Sequence, residues 1–271
     1  VKNAQHMAHL KPRHDNRQAV ISHVLSVDPP PAQQTETVDG FGNTRSFFSL
    51  QNAHPSLQVT ACSVVSTHAS PAPDPGLPWE QVRERMRYRR GRAYDPATEF
   101  TFPSPYVPRH EDFVAYARPS FSADRPLMEA AADLMARIHS DFTYAAEATD
   151  INTPALQALA MRRGVCQDFA HVMIGVCRSL GIPTRYVSGY LYNGPESHLR
   201  GTQASHAWCE VHIPGKGWFG LDPTNNTLAD ERHVKIATGR DYADAAPLTG
   251  QFDGPMDATA AMQIEVEVSA A

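Results

Sequence analysis

The sequence predicts an α+β fold in which one helix packs on an antiparallel sheet and a small β-sandwich domain precedes this core. Short strand-like segments at close spacing run to about residue 68. An apolar stripe of helical period follows between residues 165 and 180, and further strand-like segments come after it. With 271 residues the chain can hold one large domain or two of ordinary size. We place an N-terminal β domain at residues 1–70 and the core with C-terminal strands at residues 71–271.

The N-terminal segments are separated by turn dipeptides such as Asp39-Gly40, which is typical of an all-β unit. The strand-like segments span residues 20–27, 35–38, 47–50 and 57–65. A proline-rich stretch at residues 70–78 indicates a domain boundary, after which the sequence is mainly helical. Near the chain end, residues 263–268 alternate polar and apolar side chains. We expect a strand there that joins a sheet, and pairing with the N-terminal sheet would tie the two domains together.

Composition and charge exclude several classes of protein. Hydrophobic residues make up 42% and charged residues 20% of the chain, which is typical of a folded globular protein. No apolar run approaches the ~20 residues that cross a bilayer. The net charge of −5 gives no reason to expect a nucleic acid or an anionic membrane as partner. No secretory signal is visible, although a chain that starts with Val1 leaves its true beginning undefined. The four cysteines form no CxxC pair and are expected to be reduced thiols, which predicts a cytoplasmic protein.

Cys166 stands at the start of the segment that carries the chemistry. It follows Gly164 at the head of the apolar stripe, and Gly181 with Pro183 marks the helix end. The free N–H groups and the positive end of the helix dipole favour an anion at this position, and a thiolate is such an anion. Cys177 lies three turns further along and gains nothing from the helix start. Taken alone, Cys166 could equally be a small buried hydrophobic residue.

Two further residues are placed to meet at one end of a sheet. Strand patterns occur at residues 184–192, 206–213 and 218–221. An antiparallel hairpin of the last two brings His206, which opens one strand, beside Asp222, which closes the next. A carboxylate next to an imidazole is the arrangement that orients a catalytic histidine.

These residues lie in stretches that closely resemble the core of bacterial transglutaminase-like proteins. The stretches are GVCQDFAHVMIGVCRSLGIPTRYVSGY and SHAWCEVHIPGKGWFGLDPT, in which His206 follows Cys166 by 40 residues and Asp222 follows His206 by 16. The resemblance extends to the β region before the core and to GRDYADAAPLTG near the chain end. It implies a papain/transglutaminase-like core with Cys166, His206 and Asp222 as catalytic residues.

In the reaction that this implies, His206 takes the thiol proton and Cys166 attacks an amide carbonyl to form an acyl-thioester. The backbone N–H of Cys166 and one side-chain donor are expected to stabilise the oxyanion. Tyr144 and Gln157 are the candidate donors, because both precede the nucleophile helix. The candidates for lining the substrate cleft are Trp208, Gln167 and Asp168.

The expected substrate is a peptide or protein, and hydrolysis of a peptide or isopeptide amide is the favoured outcome. Acyl transfer to an amine, as in a protein-glutamine transglutaminase, and a non-catalytic binding or scaffold role are the alternatives. Transfer requires an amine channel with aromatic walls that keep water from the thioester. Trp208 and Trp218 are the candidate walls, although we expect Trp218 to pack in the core. The sequence leaves the oligomeric state open.

A metal site is the rival interpretation, because the chain has 13 histidines and four cysteines. His206 and Cys209 form an HxxC pair, but residues three apart on a strand point to opposite faces and do not readily share an ion. We therefore expect no metal and no other cofactor. His171, on the nucleophile helix, is expected to be a packed residue. Three further histidines are expected to be surface or structural residues: His198, His212 and His233.

Overall fold

The computed structural model describes residues 1–69, 75–87, 89–91, 93–194, 199–200, 204–254 and 262–270. Its first part is all β. The strands are β1 (Lys2–Ala8), β2 (Gln18–Asp28), β3 (Gln33–Val38), β4 (Thr44–Leu50) and β5 (Gln58–Thr67). The four strands predicted before residue 68 are confirmed as β2 to β5, whereas the polar segment that forms β1 was not identified as a strand.

Two antiparallel sheets of this part face each other across a small core. A long ladder joins β2 to β5, and β1, β4 and β3 form the second sheet. Phe48 and Leu50 of β4 are buried, and Val27 of β2 and Val59 of β5 pack against them. The predicted β-sandwich is therefore confirmed.

Helices occupy most of the chain between the two β regions. They are α1 (Trp79–Met86), a 3-10 helix (Pro96–Thr101), α2 (Glu111–Ala117), α3 (Leu127–Asp141) and α4 (Ala155–Met161). Residues 70–74 of the predicted linker lie outside the described residues. None of the helices in the described part of the chain is long and apolar enough to cross a bilayer.

The most deeply buried of the described helices packs on an antiparallel sheet, as the sequence predicted. Helix α5 (Cys166–Ser179) begins at Cys166 and ends before Gly181, whose positive φ of 78° stops the helix. The strands around it are β6 (Thr143–Tyr144), β7 (Arg163–Gly164), β8 (Thr184–Leu191), β9 (His206–Ile213), β10 (Gly217–Asp222), β11 (Thr227–Leu228) and β12 (His233–Gly239). The core sheet has the order β11-β10-β9-β8-β12, and β6 pairs with β7.

Buried polar contacts fasten the N-terminal sheets to this core. Asn43, in the turn before β4, has no exposed surface and binds the backbone of Thr238 on β12. Its side-chain amide donates to the Thr238 carbonyl at 2.7 Å and accepts from the Thr238 N–H at 2.8 Å. A buried amide that satisfies both partners of a backbone group fixes orientation as well as distance.

The prediction of a strand at residues 263–268 is wrong. Residues 262–270 have no regular structure, and Ile264 is 51% exposed. After the short helix α6 (Tyr242–Ala245), β13 (Leu248–Asp253) pairs with β1 instead and joins the N-terminal sheet. Since β4 holds the other edge of β1, both hydrogen-bonding edges of that strand are occupied. The tie between the two ends of the chain exists, but β13 makes it.

Candidate active site

Cys166 is the first residue of α5, and a tight turn places it there. The Asp168 carboxylate accepts a hydrogen bond from the Val165 N–H at 2.8 Å and another from the Thr149 hydroxyl at 2.7 Å. A Cβ atom on Gly164 would lie 2.7 Å from Asp168 Cγ, so only glycine lets the carboxylate close over this turn. The Cys166 residue is 9% exposed at the resulting helix start.

Two of the predicted cleft residues, Asp168 and Gln167, use their side chains for hydrogen bonds to other residues of the protein. Gln167 Nε2 donates to the Ile151 carbonyl at 3.1 Å, and both side chains belong to buried residues. Burial raises the pKa of the Asp168 carboxyl, although the Val165 N–H and the Thr149 hydroxyl oppose it. These side chains hold the loop before α4 against the nucleophile helix, which leaves them little surface for a substrate.

His206 and Asp222 meet at one end of the core sheet. The register of β9 and β10 pairs Leu221 with Cys209, which brings Asp222 to the end of the hairpin where β9 begins. His206 Nε2 lies 2.8 Å from Asp222 Oδ2, and both side chains are completely buried. The hairpin predicted from the sequence therefore brings this pair together.

The Asp222 carboxylate is held on both of its oxygens. Its Oδ1 accepts from the backbone N–H groups of Thr224 at 3.0 Å and Asn225 at 3.2 Å. Its Oδ2 accepts from Asn225 Nδ2 at 2.7 Å as well as from His206. Burial alone would raise the pKa of this carboxyl, but the charge and hydrogen bond of His206, together with those of His233, outweigh burial and hold the pKa well below its usual range. Asp222 is thus an ionised partner for an imidazole.

His206 is correspondingly basic. Burial favours the neutral ring, but the attraction of Asp222 and the nearby Cys166 thiol outweigh it and raise the pKa of His206 to about 10. Because Nε2 is bound to Asp222, Nδ1 is the nitrogen left for Cys166, and Nδ1 has no hydrogen-bond partner among the described residues. The arrangement can take a proton from the thiol and hold it beside a buried carboxylate.

Trp208 is buried and packs against the ring of His206. It is 1% exposed, and its indole stacks on the His206 ring with centroids 6.0 Å apart. A Cβ atom on Gly189 would lie 2.5 Å from the indole, and one on Gly220 would lie 3.4 Å from it, so the ring fills a closely fitted space. Trp208 therefore supports His206 from below, and its burial argues against the predicted place in the substrate cleft.

The two predicted oxyanion donors lie in different environments. Tyr144 pairs with Gly164 in the β6–β7 bridge, directly before Cys166. Burial, and next to it the charge that Cys166 acquires on ionisation, raise the pKa of Tyr144. Gln157 is exposed on α4, and the described contacts do not bring its side chain to Cys166. Of the two candidates, Tyr144 is the one whose strand pairs with the turn before Cys166.

His206, Asp222 and His233 also form a group that could hold a metal ion, since their donor atoms lie within 4.8 Å of one another. Two ligands of a tetrahedral zinc ion are about 3.3 Å apart, because each bond is ~2.0 Å long. The 2.8 Å between His206 Nε2 and Asp222 Oδ2 is shorter and matches a charge-assisted hydrogen bond. Cys209 is not in this group and points its sulfur toward the Leu221 carbonyl.

The sequence interpretation missed the environment of His233. It was expected at the surface or in a structural role, but it is buried beside Asp222 at the head of β12. The residue pattern gave little indication of this position, because β12 was not predicted as a strand. His171 is a packed residue of α5, as expected, because it has no exposed surface and its Nε2 accepts from the Tyr242 N–H at 3.1 Å. Burial lowers the pKa of His171 to about 3. His198 lies outside the described residues.

A cysteine at a helix start that faces a sheet carrying a buried histidine–aspartate pair defines the papain-like class of α+β folds. The chain belongs to the transglutaminase-like superfamily within that class. Residues 114–223 match the family model of the transglutaminase-like superfamily, and residues 1–66 match that of the bacterial transglutaminase-like N-terminal region.

Three similar proteins extend this result. An uncharacterized protein of Mycobacterium tuberculosis is 42% identical over 257 residues, which cover 89% of this chain and 79% of that protein. A protein-glutamine gamma-glutamyltransferase of Pseudomonas aeruginosa is 35% identical over 99 residues, 32% of this chain and 14% of that protein. The crystal structure of a "Putative Cysteine Protease" from Cytophaga hutchinsonii covers 93% of this chain and 82% of its own at 24% identity, with a TM-score of 0.73. The last likeness shows the fold alone.

Proposed function

We propose that this protein is a thiol enzyme that opens a peptide or isopeptide amide bond through an acyl-thioester on Cys166 and releases the acyl group mainly to water. The observation that carries the proposal is the buried His206–Asp222 pair, 2.8 Å apart, set against a cysteine at a helix N-terminus. A histidine with a raised pKa favours the ion pair with a thiolate, which is the reactive form of such enzymes.

In the proposed reaction His206 Nδ1 first takes the thiol proton, and the Cys166 thiolate then bonds to the amide carbon. The oxyanion that forms is stabilised by the Cys166 backbone N–H, which is free at the first turn, and by the Tyr144 hydroxyl. When the C–N bond breaks, the amine leaves with the proton from His206. Water then gives a proton to His206 and attacks the thioester, and Cys166 leaves as a thiolate, which restores the ion pair with His206.

The positions of two tryptophans support hydrolysis over transfer. An amine-accepting enzyme needs aromatic walls that exclude water from the thioester. Trp208 is buried under His206 and does not face a cleft. The Trp218 ring packs edge-on against the Phe100 ring, with centroids 5.2 Å apart, and the Arg185 guanidinium lies 4.2 Å from its centroid. Both indoles thus have partners inside the protein, which supports hydrolysis as the main outcome.

Acyl transfer is the second candidate, because a protein-glutamine gamma-glutamyltransferase of Pseudomonas aeruginosa is similar to 32% of this chain. A paired assay separates the two functions. A peptide library is incubated with a labelled primary amine, and both free acid and captured amine are measured. We expect acid release to exceed amine capture, and Cys166→Ala to abolish both.

Cys177→Ala is the matched control, since Cys177 lies on the same helix and is fully buried. It should leave both products unchanged. Amine capture in excess of acid release would establish transfer instead. Absence of both products with the wild-type chain, across the library, would favour a binding or scaffold role.

A further inference from the structure

His233 lies between two carboxylates at the edge of the site. Its residue is 6% exposed, and its Nε2 is 3.4 Å from Asp222 Oδ2. Its Nδ1 is 3.1 Å from Asp230 Oδ1. Asp222 Oδ2 therefore faces two imidazoles, His206 on one side and His233 on the other, whose ring centroids are 6.4 Å apart.

The surroundings of Nδ1 decide which way His233 donates. The backbone N–H of Asp230 points to Nδ1 at 3.2 Å, so the neutral ring carries its proton on Nε2 and donates it to Asp222. A second proton on Nδ1 is accepted by Asp230 Oδ1 at 3.1 Å. His233 thus presents an Nε2–H to Asp222 in both protonation states.

The charged groups around His233 come from three directions. Asp222 approaches from β10 and His206 from β9, while Asp230 precedes β12 and is itself paired with Arg232. Burial favours the neutral ring, but hydrogen bonds to Asp222 and Asp230 outweigh it and raise the pKa of His233. The site is therefore a row of alternating bases and carboxylates, not a single histidine–aspartate pair.

We propose that His233, anchored by Asp230, is a positioning residue that locks the Asp222 carboxylate in line with His206. Two backbone N–H groups hold Oδ1, while Oδ2, the oxygen that faces His206, also accepts from Asn225 Nδ2. The His233 imidazole adds a third donor at Oδ2 and limits the rotation of the carboxylate about its Cβ–Cγ bond, which would weaken the bond to His206. The inference rests on the proposed thiol chemistry at Cys166, because the effect reaches the reaction through His206.

The test is the pH dependence of Cys166 alkylation by iodoacetamide, followed by mass spectrometry on wild type, His233→Leu, His233→Gln and Asp230→Asn. Without the Nε2–H donor, His206 stabilises the thiolate less, so the rising limb of the rate profile should move to higher pH in His233→Leu. A shift of about one pH unit corresponds to a roughly tenfold slower reaction below the plateau. His233→Gln keeps an N–H donor at a similar reach and should restore most of the rate.

Asp230→Asn should move the rising limb of the rate profile to higher pH by a smaller amount than His233→Leu. If His233→Leu does not fold, Asp230→Asn is the variant that tests the role of His233. His212→Leu is the matched control, because His212 is also mostly buried but lies at the far end of β9. It should leave the limb in place. An unchanged limb in folded His233→Leu, or in Asp230→Asn, would overturn the inference. If wild-type Cys166 reacts no faster than Cys177, the proposed function fails instead, so the two failures are distinct.

Discussion

Gln18 of β2 forms two reciprocal hydrogen bonds with the backbone of Lys235 on β12. Its Nε2 donates to the Lys235 carbonyl at 2.7 Å, and its Oε1 accepts from the Lys235 N–H at 2.8 Å. Gln18 is 3% exposed, so these bonds are made away from water. One side chain of the N-terminal β region therefore completes the hydrogen bonding of the strand that carries His233.

We expect Gln18→Ala to destabilise the chain by about 1–3 kcal/mol, because it leaves the N–H and C=O of Lys235 buried without these partners. Thermal or denaturant unfolding measures this loss. Gln33→Ala on the exposed strand β3 is the control and should change stability little. Equal stability of the two variants would show that the Gln18 bonds contribute nothing to holding the sheets together.

Glu210 predicts a pH-dependent part of the stability. Burial alone would raise the pKa of this carboxyl, but Arg185 at 2.6 Å and Lys235 at 2.7 Å outweigh it and lower the pKa from 4.5 to about 2. A lowered pKa in the folded state stabilises the protein above the unfolded value, and this contribution disappears as pH falls through the folded value. The advantage of wild type over Glu210→Gln should therefore shrink between pH 4.5 and about 2.

Denaturant titrations at several pH values measure that advantage. Glu36→Gln is the control, since Glu36 pairs with Lys11 at 2.9 Å on the surface, where such a pair contributes little. Its difference from wild type should be small at every pH. A wild-type advantage over Glu210→Gln that stays constant down to pH 2 would contradict the assignment of the shift to this ion-pair cluster.

Cys166 should be the most reactive of the four thiols near pH 6–7. Cys62 is exposed, while burial raises the pKa of Cys177 to about 12 and that of Cys209 well above its usual value. We expect Cys166 to be alkylated about tenfold faster than Cys62, because it lies at a helix start beside His206. Limiting iodoacetamide followed by mass spectrometry gives both rates from one sample.

His206→Gln should remove that advantage while Cys62 keeps its rate. This internal reference separates activation of the thiol from general accessibility. Faster labelling of Cys62 than of Cys166 in the wild-type chain would contradict an activated thiol.

Local patterns were sufficient to predict the elements that place Cys166, His206 and Asp222. The helix stripe fixed the start of α5, and the alternation in β9 and β10 fixed the hairpin. These predictions succeeded because each depends on neighbours within one helix or one hairpin, where sequence distance and spatial distance agree.

Elements that depend on distant partners were missed. β1 is a polar segment that becomes a strand only because β4 and β13 flank it, and β13 comes from the other end of the chain. Residues 263–268 have the better alternation, yet they have no strand partner in the described structure. His233 was missed for the same reason, because its contact with Asp222 depends on β12 crossing to pair with β8. Register between distant strands is a tertiary property that alternation does not encode.

Tyr144 and Gln157 offer a last test, on the second oxyanion donor. Tyr144→Phe removes the hydroxyl but keeps the ring, which packs 6.3 Å from Phe169 and lies under the Arg200 guanidinium at 5.4 Å. Loss of one oxyanion donor costs roughly a hundredfold to a thousandfold in kcat, so acid release should fall by about that factor with KM little changed. Gln157→Ala should match wild type, since Gln157 is exposed on α4. A Tyr144→Phe enzyme with wild-type kcat would exclude the hydroxyl from the reaction, and a large loss in Gln157→Ala would reassign the donor to the amide.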